Sequence, residues 1–256
     1  MHTIDPLDAM DAMLTATARA EDDHFWFRGL RRSARIMLDA ALEGRRLGQI
    51  VDCGAGTGRN LDWLREYGPV VGIERSPTGL GVARAHGRLI VQATVAALPL
   101  PSTSVDLATS FDVLYCLPEA DERAALAEMA RVLRPGGLAL VNVAALDRLH
   151  GAHSTRTREL RRYSRARLRS RLEDAGFTVD RMSFTNFSTF PATLAVRAFD
   201  RWSGRAAQAS DAELRVPSPP INRTLDLALA AEAQVCLLYT SPSPRDRTRS
   251  RMPSSA

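Results

Sequence analysis

At 256 residues and 45% hydrophobic side chains, the chain is long enough for one α/β domain with an elaboration, or for two small domains, and it can bury a sizeable core. Its formal charge of +5 rests on 34 basic residues that are all Arg, which with abundant Ala reads as a GC-rich, bacterial coding background rather than a nucleic-acid signal. Three widely spaced cysteines, Cys53, Cys116 and Cys236, argue against a disulfide framework and for a reducing, cytoplasmic setting. The acidic first segment lacks the basic stretch and apolar run of a secretory leader, and no apolar run is long enough to cross a bilayer.

In chain order, Leu7 to Ala20 carries Met10, Met13, Leu14 and Thr17 at helical spacing. The aromatic segment His24-Phe25-Trp26-Phe27-Arg28 follows, then a helix from Leu30 to about Glu43. Gln49 to Cys53 reads as a buried strand, Arg59 to Tyr67 as a helix, and Val70 to Glu74 as a second strand. Ser76-Pro77 opens a helix, with Ser as the cap and Pro at the first position. Leu89 to Gln92 and Val105 to Phe111 are the third and fourth strands, and Glu119 to Leu133 is a helix. Arg134 to Gly137 reads as a tight turn, Leu138 to Ala144 as a fifth strand, Ser164 to Ala175 as a helix and Thr178 to Phe187 as a sixth strand. Strand–helix alternation with near-continuous apolar strands predicts an α/β fold: a doubly wound, mostly parallel sheet covered on both faces.

The last stretch, Cys236 to Ala256, does not match what precedes it. It resembles the in-frame translation of a transposon-type sequencing-library adaptor; the alternative is a native basic tail rich in Ser and Pro. It carries four Arg against Asp246, so +2 of the +5 remains for the preceding residues. On this basis the natural protein continues beyond Val235 and the chain is truncated.

The chemistry is concentrated in Ile50 to Gly58, I-V-D-C-G-A-G-T-G. Glycines at alternate positions let a ligand press against bare backbone at the carboxyl end of a strand, where open α/β sheets bind ligands. The spacing G-x-G-x-G departs from the dinucleotide fingerprint, in which Arg59 would be glycine. Asp52 would repel a pyrophosphate but can accept a hydrogen bond from an ammonium. Glu74, ending the second strand, can accept both hydroxyls of a ribose. Together they suit a nucleoside with a cationic amino-acid arm and no phosphate. Without a ligand, Asp52 would cap the turn and Glu74 would be solvated.

V-D-C-G-A-G-T-G, V-V-G-I-E, A-L-P-L-P-S-T-S-V-D-L-A-T-S-F-D-V-L and R-V-L-R-P-G-G-L-A-L-V-N resemble the successive signature blocks of class I S-adenosylmethionine-dependent methyltransferases, nearest the small-molecule, ubiquinone-biosynthesis-like (type 11) subgroup. The resemblance spans roughly Phe25 to Phe187. It implies S-adenosyl-L-methionine as cofactor, a Rossmann-like sheet of seven strands with the last antiparallel, and a cofactor site of Asp52, Cys53, Gly54, Ala55, Gly56, Gly58, Glu74, Arg75, Thr94, Val95 and Phe111. Thr94 stands where relatives usually carry an acid for the adenine amino group, and Tyr115-Cys116 where they often carry Glu-His. His24 to Arg28 resembles the lid of this subgroup, or is a hydrophobic anchor of the first helix onto the sheet; Trp26, Phe27, Arg28, Tyr115, Arg162 and Tyr163 are the substrate-side candidates.

The layout expected is a helical lid over 1–48, a cofactor domain over 49–190, a helical elaboration over 191–235 and the tail over 236–256. With Leu225 to Val235 as the late helix, the seventh strand would be missing or poorly replaced by Cys236 to Tyr239. Base candidates are His24, Tyr163 and His150, should the acceptor need one. Eight Arg over Arg156 to Arg171, against Glu159, read as a solvated face or as a funnel for an anionic acceptor with Arg161, Arg162 and Tyr163 at its mouth. Nucleic acid is not expected, and His150-x-x-His153 lacks metal-ligand company. The alternatives are a nicotinamide oxidoreductase and a non-catalytic cofactor-binding relative.

Overall fold

The computed structural model describes residues 6–145, 159–188 and 216–240, with side chains over 11–145, 159–188 and 216–235. They divide into two units: 44–145 with 160–182, and 6–43 with 159, 183–188 and 216–240.

The first unit is built on a five-stranded sheet, β1 (Ile50–Cys53), β2 (Val70–Glu74), β3 (Ile90–Gln92), β4 (Val105–Phe111) and β5 (Leu133–Asn142), in the order β3-β2-β1-β4-β5. Every ladder is parallel, as the buried apolar strands required. Helices α3 (Arg59–Leu64), α4 (Pro77–Ala85), α5 (Glu119–Val132) and α6 (Arg165–Asp174) belong to this unit. One face packs Val51, Cys53, Val71 and Ile73 with Leu126 and Met129 of α5 and Leu172 of α6. Across the sheet, Ala55, Leu80, Ala83 and Ile90 form a smaller cluster under α4. The Ser76 cap is realised: its Oγ accepts from Gly79 N at 3.2 Å, with Pro77 at the first helical position.

The second unit contains α1 (Pro6–Ala20), α2 (Phe25–Leu42) and α7 (Pro219–Thr240). A Cβ on Gly29 of α2 would lie 2.5 Å from Leu229 Cδ1 of α7, so a larger residue there would force Leu229 to shift. Asp226 of α7 pairs with Arg28 at 2.9 Å and Arg32 at 3.3 Å. Asn222 caps the start of α2, accepting from Phe25 N at 3.0 Å and donating to Asp23 O at 2.8 Å.

Several expectations are corrected. Helix α2 starts at Phe25 rather than Leu30, because His24 and Asn222 supply its cap. β5 starts at Leu133, not Leu138. The Arg134–Gly137 turn is a bulge within it, since Val105 pairs with Leu133 and Leu107 with Leu138. Thr178 to Phe187 is not a strand. Asn186 takes φ 65°, and the N–H groups of Phe187 and Ser188 go to the Glu232 carboxylate at 2.7 and 2.6 Å instead of to a ladder. Cys236 to Tyr239 continues helix α7. No helix among the described residues is long and apolar enough to cross a membrane.

Candidate functional site

The glycine loop is fixed from both sides. Gly54 N and Ala55 N donate to Ile73 O at 2.8 and 2.9 Å, tying the loop to β2. Gly54, Gly56 and Gly58 have φ of 82°, 55° and 74°, the left-handed region that glycine reaches without penalty. Gly54 is required twice over, because a Cβ there would lie 2.4 Å from Val113 Cγ2.

Two carboxylates flank the loop. Glu74 is held by three backbone donors: Gly56 N reaches Oε2 at 2.8 Å, and Arg75 N and Ser76 N reach Oε1 at 2.8 and 2.7 Å. Oε1 is thus bonded twice, while Oε2 keeps a second lone pair for a ligand. Asp52, 1% exposed, accepts from the Thr109 hydroxyl at 2.6 Å through Oδ1, whereas its Oδ2 is buried with no partner. Burial pushes the Asp52 carboxyl up to about 7, opposed by the Thr109 bond and aided by the nearby Glu74 charge. A buried, unpaired carboxylate oxygen is costly, and a donor supplied by a ligand would relieve it. The site thus offers acceptors on both flanks of the loop. That acceptor set fits an ammonium and a ribose hydroxyl and disfavours a phosphate.

Around this centre the other expected cofactor residues take their places in the same unit. Cys53 is buried on β1, and burial raises its thiol far above the ordinary range, so it is inert packing. Arg75 is exposed beside Glu74. Thr94 Oγ1 accepts from Ala96 N at 3.3 Å in the turn after β3, next to buried Val95. Phe111 ends β4 and faces Trp63, with ring centroids 6.1 Å apart. Sequence reasoning passed over Thr109, Asp112 and Asn142. The last two meet at the carboxyl ends of β4 and β5, where Asn142 Nδ2 donates to Asp112 Oδ1 at 3.0 Å. The signal for Thr109 was its place on the strand adjoining β1, opposite Asp52.

The catalytic and substrate-side candidates fare differently. The Tyr163 hydroxyl donates to buried Glu122 at 2.7 Å; burial and that bond raise its pKa, so it is no base. Arg161 also pairs with Glu122, and Arg171 lies 3.7 Å from it. Arg162, 9% exposed, donates to Ala145 O at 3.2 Å. Arg161, Arg162 and Tyr163 are therefore fastened inward rather than forming the mouth of a funnel. The carbonyl of Tyr115 accepts from Leu160 N at 2.9 Å. In the helical unit, His24 Nδ1 accepts from Trp26 N at 3.2 Å and its ring stacks on Phe25, so it is a helix cap. Trp26 is exposed, Phe27 half-buried, and Arg28 is paired with Asp226. His150 lies outside the described residues. No group of His, Cys, Asp and Glu among the described residues is arranged to hold a metal.

Comparison with known proteins agrees with this geometry. Residues 51–141 match the methyltransferase domain family known as Methyltransf_11. A malonyl-[acyl-carrier protein] O-methyltransferase of Enterobacter lignolyticus is 32% identical over 148 residues, covering 56% of this chain and 57% of that protein. A probable S-adenosylmethionine-dependent methyltransferase of Mycolicibacterium smegmatis is 29% identical over 190 residues, covering 69% and 70%. Among solved structures, a methyltransferase in complex with the Haloferax volcanii Trm112 methyltransferase activator superposes with a TM-score of 0.58 at 26% identity, covering 70% of this chain and 80% of that one. The chain thus spans little more than half the length of the malonyl relative. Residues 51–141, which hold the glycine loop, Asp52 and Glu74, are therefore similar to a methyltransferase domain, on a sheet of the order β3-β2-β1-β4-β5.

Proposed function

We propose that this chain transfers the methyl group of S-adenosyl-L-methionine to a small-molecule acceptor in the cytoplasm. The observation that carries this is the unpaired Asp52 Oδ2 together with the free Glu74 Oε2 lone pair, acceptors that suit an ammonium and a ribose hydroxyl. In this role Asp52 receives the amino group, Glu74 Oε2 receives a ribose hydroxyl, Gly54, Gly56 and Gly58 give close backbone approach, and Thr94, Val95 and Phe111 border the adenine. When bound, the cofactor supplies an already activated methyl group, leaving the protein to align the acceptor and keep water out.

A carboxylate acceptor, the class suggested by the malonyl relative's name, suits this chain. Such an acceptor already carries its electron pair and needs no base. This agrees with the engagement of Tyr163 by Glu122 and of His24 in a helix cap. The acceptor oxygen would bond to the methyl carbon as the carbon–sulfur pair returns to sulfur, giving an ester and S-adenosylhomocysteine. The free, buried thiol of Cys53 fits a reducing compartment.

Titration calorimetry with S-adenosylhomocysteine tests the proposal, with NADH as the competing ligand. Binding of the first alone is expected. Binding of NADH alone would move the chain to the nicotinamide reading. Cofactor binding without methyl transfer to any of a broad panel of carboxylates, phenols and amines would favour a non-catalytic relative.

A further inference from the structure

We infer that Arg88 is a positioning residue for the cofactor loop, an inference that rests on the proposed cofactor site. Arg88 follows α4 and immediately precedes β3, well away in sequence from the glycine loop, yet its side chain is only 5% exposed and reaches that loop. Nη1 donates to Thr57 O at 2.8 Å, inside the Gly54–Gly58 segment. Nε and Nη2 donate to Asp62 Oδ1 and Oδ2 at 3.2 and 2.7 Å, a two-pronged grip on α3. Arg59 also pairs with Asp62 at 2.9 Å, and Arg65 lies 3.7 Å from it. These guanidinium groups hold the Asp62 carboxyl below its usual range, against the desolvation that would raise it. The stem contributes as well: a Cβ on Gly58 would lie 3.0 Å from Arg88 Cδ.

One guanidinium therefore ties together the loop, the helix that follows it and the entry to β3. The need for such a tie follows from the loop itself. Three glycines in left-handed conformation leave a backbone with many alternatives in the absence of a restraint. On the strand side the restraints are the Ile73 carbonyl and Glu74. Glu74 is also proposed to bind the cofactor, so its bonds respond to the ligand. Arg88 supplies the restraint on the helix side, where it makes only bonds within the protein. A fixed loop spares the ligand the ordering cost, which is what preorganisation contributes to affinity. Lys does not reproduce this fork, because it lacks the planar guanidinium whose three nitrogens bond Thr57 O and both Asp62 oxygens.

The test compares Arg88→Met, Arg88→Lys and Asp62→Asn with Arg131→Met. Arg131 is a matched control, gripping Glu128 and the carbonyls of Leu98 and Leu100 in the same manner elsewhere in the unit. S-adenosylhomocysteine affinity is read by calorimetry, and amide hydrogen exchange is read at Gly56 to Asn60 on the ligand-free full chain. Arg88→Met is expected to weaken binding at least about tenfold and to speed exchange in that segment, with Arg88→Lys intermediate and Arg131→Met within about twofold of the parent. Equal losses in Arg88→Met and Arg131→Met, or unchanged affinity and exchange in Arg88→Met, would overturn the inference. If Arg88→Met does not fold, Asp62→Asn decides: faster local exchange with weaker binding supports the clamp, and parental behaviour overturns it. If the parent chain itself fails to bind, the cofactor proposal falls, and exchange alone decides whether Arg88 fixes the loop.

Discussion

Asp52 and Asp106 lie on adjacent strands at opposite ends of one sheet, and their surroundings treat them in opposite ways. Asp106, where β4 begins, is saturated. Its Oδ2 accepts from Gly48 N and Gln49 N at 2.6 and 3.0 Å, and its Oδ1 from Arg134 at 2.7 Å. Those bonds hold its carboxyl below the usual range in spite of partial desolvation. Asp52, near the end of β1, has one hydroxyl partner and a bare oxygen, and burial lifts its carboxyl to about 7. A carboxylate that serves only the fold is fully paired by that fold. One left short of donors in the core weakens the protein until something else supplies them.

The largest break in this comparison is expected at the saturated end. Asp106→Ala strands two backbone N–H groups and Arg134 and should cost about 2–3 kcal/mol of stability, read by denaturant unfolding. Cofactor affinity should not change. The parent's gain from Asp106 is present above the ordinary carboxylate range and is lost as pH falls through the lowered pKa. Next comes Glu74→Ala, which should weaken S-adenosylhomocysteine binding by about 1–3 kcal/mol in calorimetry.

Asp52→Asn should gain stability and lose affinity. The native carboxyl binds its proton more tightly than the unfolded one, so stability falls as pH rises from about 4 to about 7 and stays low above that. Removing the charge should raise stability at pH ~8 by about 1–2 kcal/mol while weakening the cofactor, a trade expected of a functional site. A variant less stable than the parent at that pH would contradict the comparison. The smallest effect is expected at Thr94→Ala, about 0.5 kcal/mol of cofactor affinity, because a single neutral hydrogen bond is at stake.

What was legible in the chain follows the same division. β2 and β4 could be read to the residue, and β1 to within one, because buried parallel strands announce themselves as short apolar runs. Asp52, the glycines and Glu74 were legible because the ends of adjacent strands put them together. Roles set by distant partners were not. Tyr163 reads as a substrate-side phenol until Glu122, 41 residues earlier, takes its hydroxyl. His24 reads as a base until its place ahead of α2, beside Asn222, makes it a cap. Arg88 gave no local signal, since Thr57 and Asp62 lie 31 and 26 residues away. Thr178 to Phe187 reads as a sixth strand, but the N–H groups of Phe187 and Ser188 find a carboxylate instead of a neighbouring strand.

The central claim is that Asp52 awaits a cationic ligand group, and calorimetry of S-adenosylhomocysteine binding between pH ~6 and ~8 tests it most directly. A ligand ammonium requires the ionised carboxylate, so affinity should rise with pH, by up to about tenfold per unit below a pKa near 7, and level off above it, with proton release on binding. Binding that is independent of pH over this range, or absent throughout it, would contradict the account.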